Sequence, residues 1–351
     1  MTGPVPYRGR FAPSPTGPLH FGSLVAAIGS YAEARARSGE WLVRMEDLDQ
    51  PREVPGAAAD ILRTLKAFGF VWEGEILYQS RRGAAYAAAL AQLQASSLTF
   101  PCGCSRREIA VAASAVGPEG PIYPGTCRPP PARDPPIDPS GAAPVPVTWP
   151  VAAPETVHPP SPQPSLNRGE GARLPLRSGQ VAIRLRVESS AICFHDRVQG
   201  PVKQDLVAEV GDFVLRRADG LFAYQLAVVV DDAFQGITDI VRGADLTRST
   251  PRQMLLQRLL GLPTPTYAHL PLARDRWGRK LSKSDAAAPV DPRNPLPALL
   301  QAWAFLGQSA LAERPDTPAA FWAQALTRWD LSRVPQCAQI PGADEVWRGK
   351  T

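Results

Sequence analysis

Hydrophobic positions repeat with a helical period at Leu24, Ala27, Ile28 and Tyr31, after a short apolar stretch at 5–12 and a turn-forming run, Pro13-Ser-Pro-Thr-Gly-Pro18. This pattern predicts a strand, a tight turn and a helix. Trp41-Leu-Val-Arg-Met45 predicts a second buried strand ending in the acidic turn Glu46-Asp-Leu-Asp49, and helical patterns recur at 57–68 and 83–96. Strand, helix, strand order is what an α/β fold with a doubly wound parallel sheet requires. Farther along, the alternation of Val181-Ala-Ile-Arg-Leu-Arg-Val187 predicts a half-buried strand. Phe213–Arg217 and Tyr224–Val230 predict two more, the second nearly all apolar and therefore central. Ser249 is expected to cap a helix reaching Leu260, with Pro251 in its first turn, and helical patterns at 296–306 and 318–329 follow.

Residues 128–178 break the pattern: they hold more than a third of the chain's 39 prolines and little periodicity. Such a stretch buries too little apolar area to offset its ordering entropy, so it reads as a flexible insertion. The 351 residues are 44% hydrophobic and 20% charged, enough for a sizeable core, and no apolar run approaches the about 20 residues of a membrane span. Met1–Phe11 has no apolar centre and is not a signal peptide, so a cytoplasmic location is expected. A net charge of +5 tilts the chain mildly toward polyanions. Five cysteines, an odd number, argue against a disulfide scaffold.

Two segments carry candidate chemistry. Pro13-Ser-Pro-Thr-Gly-Pro-Leu-His-Phe-Gly-Ser23 sits between the first strand and the first helix, where unpaired N–H groups and a positive dipole end favour phosphates. Gly17 and Gly22 would let a nucleotide approach the backbone, and His20 can donate to a phosphoryl oxygen. Taken alone, the same residues also suit an ordinary turn. Lys280-Leu-Ser-Lys-Ser284 places Lys280 and Lys283 three apart in a polar stretch, able to balance charge on a triphosphate or simply to form a solvated basic loop.

In this order the two segments resemble the paired signatures of the class I aminoacyl-tRNA synthetases. Arg10-Phe-Ala-Pro-Ser-Pro-Thr-Gly17, Arg44-Met-Glu-Asp-Leu-Asp49, Val229-Val-Asp-Asp232 and Val241-Arg-Gly-Ala-Asp245 look like the glutamate-specific branch. The resemblance implies that Arg10, Ala12 and Ser14 line a glutamate pocket, that Glu46 accepts from the α-ammonium, and that Tyr224 and Arg242 hold a carboxylate. A carboxylate needs a cation, and bidentate arginine suits it. The resemblance also implies an ATP site at Gly17, His20, Gly22 and Lys283, Mg²⁺ with the ATP, and His20, Lys280 and Lys283 as catalytic groups.

Arg242-Gly-Ala-Asp-Leu246 stands where the longer enzymes have Arg-Gly-Glu-Asp-His, and few residues follow Ser284. Both features resemble a shortened paralogue branch. That branch forms glutamyl-adenylate without tRNA and moves the glutamate to the queuosine base in the anticodon of tRNA(Asp). The expected substrates are therefore ATP, L-glutamate and queuosine-bearing tRNA(Asp), acting on a monomer with no membrane partner. The rivals are charging of a tRNA 3′ end and a non-catalytic tRNA-binding relic.

Cys102-Gly-Cys104 and Cys127 offer three thiolates, one ligand short of a tetrahedral zinc site and equally readable as reduced thiols. The shortened branch implies Tyr123 as the fourth ligand and one structural Zn²⁺ per chain. Cys193 lies in an apolar run and is expected in the core; His195 is expected in a loop, and Cys337 receives no role. The expected architecture is a Rossmann-type catalytic domain (1–100 and 205–260) split by a zinc-bearing insertion (101–204, flexible over 129–178). The lysine loop and a short C-terminal helical region complete it (261–351).

Overall fold

The computed structural model describes residues 6–130, 181–188, 191–273, 288–336 and 339–340. Nearly all of the proline-rich stretch, Lys280, Lys283 and Cys337 lie outside these described residues.

The chain opens with β1 (Arg8–Phe11), α1 (Phe21–Ala36), β2 (Glu40–Met45), α2 (Ala57–Ala67), β3 (Leu77–Tyr78) and α3 (Gly83–Ala95). β1 and β2 run parallel with Arg8 opposite Glu40 and Phe11 opposite Val43, and β3 adds to β2. Next come β4 (Thr99–Cys102), α4 (Arg106–Ala112), β5 (Val116–Gly117) and β6 (Gly120–Pro121), then β7 (Ala182–Leu185), which pairs antiparallel with β4. β8 (Ala191–Asp196) and β9 (Gly200–Asp205) form a hairpin, and α5 (Leu206–Glu209) leads to β10 (Val214–Arg216), the other neighbour of β7. The second half of the parallel layer follows α6 (Tyr224–Phe234): β11 (Asp239–Gly243), α7 (Thr250–Leu260) and β12 (Thr266–Leu270). β13 (Leu272–Ala273), α8 (Pro295–Phe305), α9 (Pro318–Ala325) and β14 (Gln339–Ile340), which pairs with β13, close the described chain.

β11 lies beside β1. The Thr238 N–H donates to the Arg8 carbonyl (2.9 Å) and the Arg8 N–H to Thr238 Oγ1 (2.8 Å). The strand succession is thus β3-β2-β1-β11-β12, with the first strands of the two halves adjacent at the middle. That reversal of order is where doubly wound sheets bind ligands, beyond the strands' carboxyl ends. Here those ends are Phe11 and Gly243.

Two large cores flank this layer. One packs α1, α2, α8 and α9 around Trp41, Phe70 and Trp322, with Tyr31 and Trp322 rings 4.7 Å apart. The other gathers α3, α6 and α7 over Leu185, Leu226 and Leu256. No described helix is long and apolar enough to cross a membrane.

Four expectations are corrected. Tyr224–Val230 is not a strand but the start of the helix α6, in which residues 226–232 are all buried. A helix covered on every side shows no polar face, so its apolar run is indistinguishable from a central strand by periodicity. Cys193 is exposed, because β8 alternates and turns Ile192 and Asp196 inward instead. The same strand carries His195, which is exposed and in no loop. Ser249 does precede α7, but its side chain caps nothing; its hydroxyl accepts from Gln225 Nε2 (3.1 Å).

Candidate active site and cysteine cluster

Beyond β1 the backbone turns through Ala12–Leu19 and enters α1 at His20. His20 Nδ1 accepts from the Ser23 N–H (3.1 Å), so the histidine itself caps the helix. The helix therefore begins at Phe21 rather than directly after Gly17. Gly17 has φ +146°, where a side chain is strained, and a Cβ on Gly22 would touch the His20 ring at 3.4 Å. These residues line a cavity of about 420 Å³ closed on the far side by Gly243, Asp245 and Ala273. Lys280 and Lys283 lie outside the described residues, but both flanks of their segment reach this cavity. Ala273 lines it, and after the gap the Val290 N–H donates to the Leu19 carbonyl (2.9 Å) while Pro289 bridges to His20.

A second, smaller cavity of about 120 Å³ opens beside it, walled by Arg10, Ala12, Glu46, Tyr224 and Arg242. The structure thus brings together five of the six residues expected at a glutamate pocket. Ser14 faces the larger cavities instead. The cations here are held from behind. Arg10 Nε and Arg44 Nη1 both donate to Asp232 Oδ1 (3.1 and 2.8 Å), and Arg44 Nη2 lies 3.3 Å from Glu46 Oε1. Burial pushes the Glu46 carboxyl above its usual range, against the pull of Arg44 and Arg10. Burial also acts on Asp232, but the two arginines outweigh it and hold its carboxyl below the usual range. Arg242 is 5% exposed; its Nε donates to His269 Nε2 (3.1 Å) and its Nη2 to Thr250 Oγ1 and Gln253 Oε1 (2.8 Å each). Arg242 Nη1 is buried without a hydrogen-bond partner.

A third opening of about 440 Å³ meets both others. It shares Ala12, Glu46, Tyr224 and Leu246 with the arginine-walled cavity, and Ala12, Ser14, Thr16 and Asp245 with the cavity below His20. Its outer wall is Leu48, Asp49, Glu53, Leu221 and Phe222.

Sequence reasoning gave no role to Asp232, His269, Thr250 or Gln253, which hydrogen-bond the arginines. One signal was available for the first: two adjacent aspartates in an apolar run must find cationic partners if the run is buried. Asp231 does so on the opposite side, accepting from Gln79, Arg82 and Tyr86 at 2.7–2.8 Å.

Away from the cleft, Cys102, Cys104 and Cys127 converge with their sulfurs within 4.8 Å of one another. Cys104 and Cys127 Sγ are 3.5 Å apart, and the Tyr123 hydroxyl lies 3.4 Å from Cys102 Sγ while accepting from the Cys127 N–H (2.7 Å). Burial pushes the Cys102 thiol up, but the Tyr123 hydroxyl and Arg184 outweigh it and bring it to about 7. Burial and the neighbouring thiols push Cys104 up to about 11. Sharing a cation relieves that crowding, so the donor set suits a thiolate-seeking metal ion.

The family profile described as tRNA synthetases class I (E and Q), catalytic domain, matches residues 6–118 and 167–294. Among solved structures, a glutamate–tRNA synthetase from Elizabethkingia anophelis aligns with a TM-score of 0.68 over 97% of this chain and 70% of that one, at 21% identity. The fold is therefore that of a class I aminoacyl-tRNA synthetase catalytic domain, and the chain is a ligase of that type. It is 52% identical to the glutamyl-Q tRNA(Asp) synthetase of Dechloromonas aromatica, over 95% of this chain and 98% of the relative. It is 50% identical to the protein of the same name from Chromobacterium violaceum, over 94% and 95%. The chain belongs to the glutamyl-Q tRNA(Asp) synthetase family.

Proposed function

We propose that this enzyme activates glutamate with ATP in the absence of tRNA and transfers the glutamyl group to the queuosine base in the anticodon of tRNA(Asp). The observation that carries the reading is the meeting of three cavities at Ala12, with Glu46 and Tyr224 beside it. One opening suits a nucleotide, one a small carboxylate, and the third admits an acceptor from solvent.

In this reading Arg242 and Tyr224 hold the glutamate side-chain carboxylate, Arg10 and Ala12 shape the pocket while Ser14 lines the adjoining openings, and Glu46 accepts from the α-ammonium. The α-carboxylate is ionised already, so its attack on the α-phosphorus needs no protein base. Gly17, His20 and Gly22 cradle the phosphates of Mg²⁺-bound ATP, and Lys280 and Lys283 balance the charge that grows as pyrophosphate leaves. The acceptor hydroxyl then attacks the acyl carbonyl from the third opening, displacing AMP. Leu48, Leu221 and Phe222 give that opening the apolar faces on which a splayed anticodon base can rest. Cys102, Cys104, Cys127 and Tyr123 fit one structural zinc ion, which would fix the loop that carries them. ATP and tRNA as substrates place the reaction in the cytoplasm.

The test is ATP–pyrophosphate exchange with each amino acid, followed by labelled transfer. Exchange should require glutamate and no tRNA. Label should pass to queuosine-bearing tRNA(Asp) even when its 3′ end is selectively blocked, and not to tRNA(Asp) lacking queuosine. Label on tRNA(Glu), or transfer abolished by the 3′ block, would replace this reading with 3′-end charging.

A further inference from the structure

Behind the arginine-walled cavity runs a line of buried side chains with one consistent proton arrangement. Arg242 on β11 and His269 on β12 are partners in the parallel ladder. An arginine Nε always donates, so His269 Nε2, 3.1 Å away, must accept. The ring's single proton then sits on Nδ1, which faces Asp196 Oδ2 at 2.5 Å. The other carboxylate oxygen, Oδ1, accepts from the backbone N–H groups of Val198 (3.0 Å), Gln199 (2.8 Å) and His269 itself (3.0 Å). Both His269 and Asp196 are 0% exposed. Arg242 Nη2 is fixed independently by α7, through Thr250 Oγ1 and Gln253 Oε1. With Nε and Nη2 held, the one guanidinium nitrogen left unpaired is Nη1.

We propose that Asp196 and His269 are positioning residues for amino-acid recognition: Asp196 fixes the Nδ1–H tautomer of a neutral His269, which aims Arg242 so that Nη1 is left for the substrate carboxylate. This rests on the reading that Arg242 meets glutamate. An imidazolium at 269 would have no acceptor for Arg242 and would set two like charges in contact within the core. Every neighbouring element bears on that charge. Burial and Arg242 disfavour it, Asp196 on β8 and Asp245 beyond β11 favour it, and burial with Arg242 prevails, leaving the ring below the ordinary imidazole range. Tyr267 on β12 lies parallel to the ring at 6.2 Å, and its own hydroxyl accepts from Gln257 on α7. Thr250 Oγ1, the other polar atom from α7 at the ring, is 3.2 Å from Nε2 and uncharged.

Asp196→Asn tests the arrangement without changing shape. Asparagine keeps Oδ1 for the three backbone donors but turns an amide N–H toward His269 Nδ1. The ring proton must then move to Nε2, where it meets the Arg242 Nε–H donor to donor, as a triad histidine is thrown into the wrong tautomer when its aspartate becomes an amide. In ATP–pyrophosphate exchange run with tRNA(Asp) present, the KM for glutamate should rise at least tenfold while the KM for ATP stays within twofold. An equal rise in both, or no rise in a folded variant, overturns the proposal.

The wild-type enzyme supplies a second readout that needs no variant to fold. The chain has four histidines, and ¹⁵N NMR of their rings should show one in the Nδ1–H form. As the pH falls below the ordinary imidazole range, the glutamate KM should climb as that ring protonates, with the ATP KM following a different profile. His269 in the Nε2–H form, or a glutamate KM that ignores its titration, overturns the proposal. Arg242→Lys in the same assay separates the two layers. If it leaves the glutamate KM unchanged, the pocket reading itself fails; if it raises that KM and Asp196→Asn does not, only the positioning role falls.

Discussion

The arginine-walled cavity and the cysteine cluster are built on opposite principles. Asp232 on α6 ties Arg10 on β1 to Arg44 on β2 across more than 180 residues of chain, with all three side chains at most 4% exposed. The cavity is therefore a product of the whole parallel layer, held by charges that water cannot reach. The cysteine cluster takes its four donors from Cys102–Cys127 and, among the described residues, rests on a small buried core of Phe100, Cys102 and Tyr123 with Ile109 packed against it. A site wired into the core needs no added cation, because its fixed charges already balance one another. One supported by so small a core has little packing to hold its donors together and gains most from a shared ion.

The largest effect that would break this contrast lies at Asp232. Asp232→Ala removes the carboxylate that two buried guanidinium groups share, leaving only Glu46 beside Arg44, a change typically costing about 3–5 kcal/mol. Urea unfolding should show that loss, together with collapse of glutamate activation. A loss under about 1 kcal/mol would mean that water or a neighbour replaces the carboxylate, and that the cavity is less dependent on the layer than its geometry implies. The pH dependence sharpens the point. A carboxyl held below its unfolded value contributes stability above that value, and the contribution disappears as the pH falls through the folded one. Wild type should therefore lose part of its stability in acid that Asp232→Ala, already lacking it, does not lose.

The same contrast explains what the sequence could and could not disclose. The cysteines were legible because their spacing is local, and the turn from Pro13 to His20 because helix starts have local chemistry. Arg10, Glu46 and Arg242 stood out only through a family resemblance; nothing in their separation along the chain says that they meet. Asp196 and His269 stayed hidden because they act through Arg242, and a relay between β8, β12 and β11 has no linear signature. Tyr224–Val230 was misread for a related reason. Carried through the aspartates at 231 and 232 to Phe234, the run is eleven residues, longer than most strands, but the partners of those aspartates are visible only in space. Cys193 was lost to the phase of an alternation that Ile192, next to it, decides.

A smaller effect belongs to the cysteine cluster. Protein purified without chelator should carry about one zinc per chain, and Cys104→Ser should lose it. Its melting temperature should fall by several degrees, with glutamate activation largely retained, since Cys102, Cys104 and Cys127 do not line the cleft. Zinc-free protein with an unchanged melting temperature and full activity would show that hydrogen bonding to Tyr123 suffices to hold these thiols.

The smallest effect is expected from the segment joining Pro130 to Val181, which bears on both regions because its ends flank the cysteine side. Pro129 offers its carbonyl to Arg186 (3.4 Å), and β7, starting at Ala182, pairs back onto β4 with Cys102 opposite Ala182. The two ends are thus brought together by β4 and β7 on the described side. Loop-closure cost grows only with the logarithm of length, so cutting about fifty residues to about ten changes stability by roughly 1–1.5 kcal/mol, in the favourable direction. A chain shortened in this way should melt no lower than wild type, bind the same zinc and exchange pyrophosphate at a comparable rate. If zinc is lost while exchange survives, the segment supports the cysteine cluster alone and the two regions are as separate as their cores imply. If exchange is lost as well, residues of the segment take part in the cleft, and the contrast between a site wired into the core and one held by its own loop no longer stands.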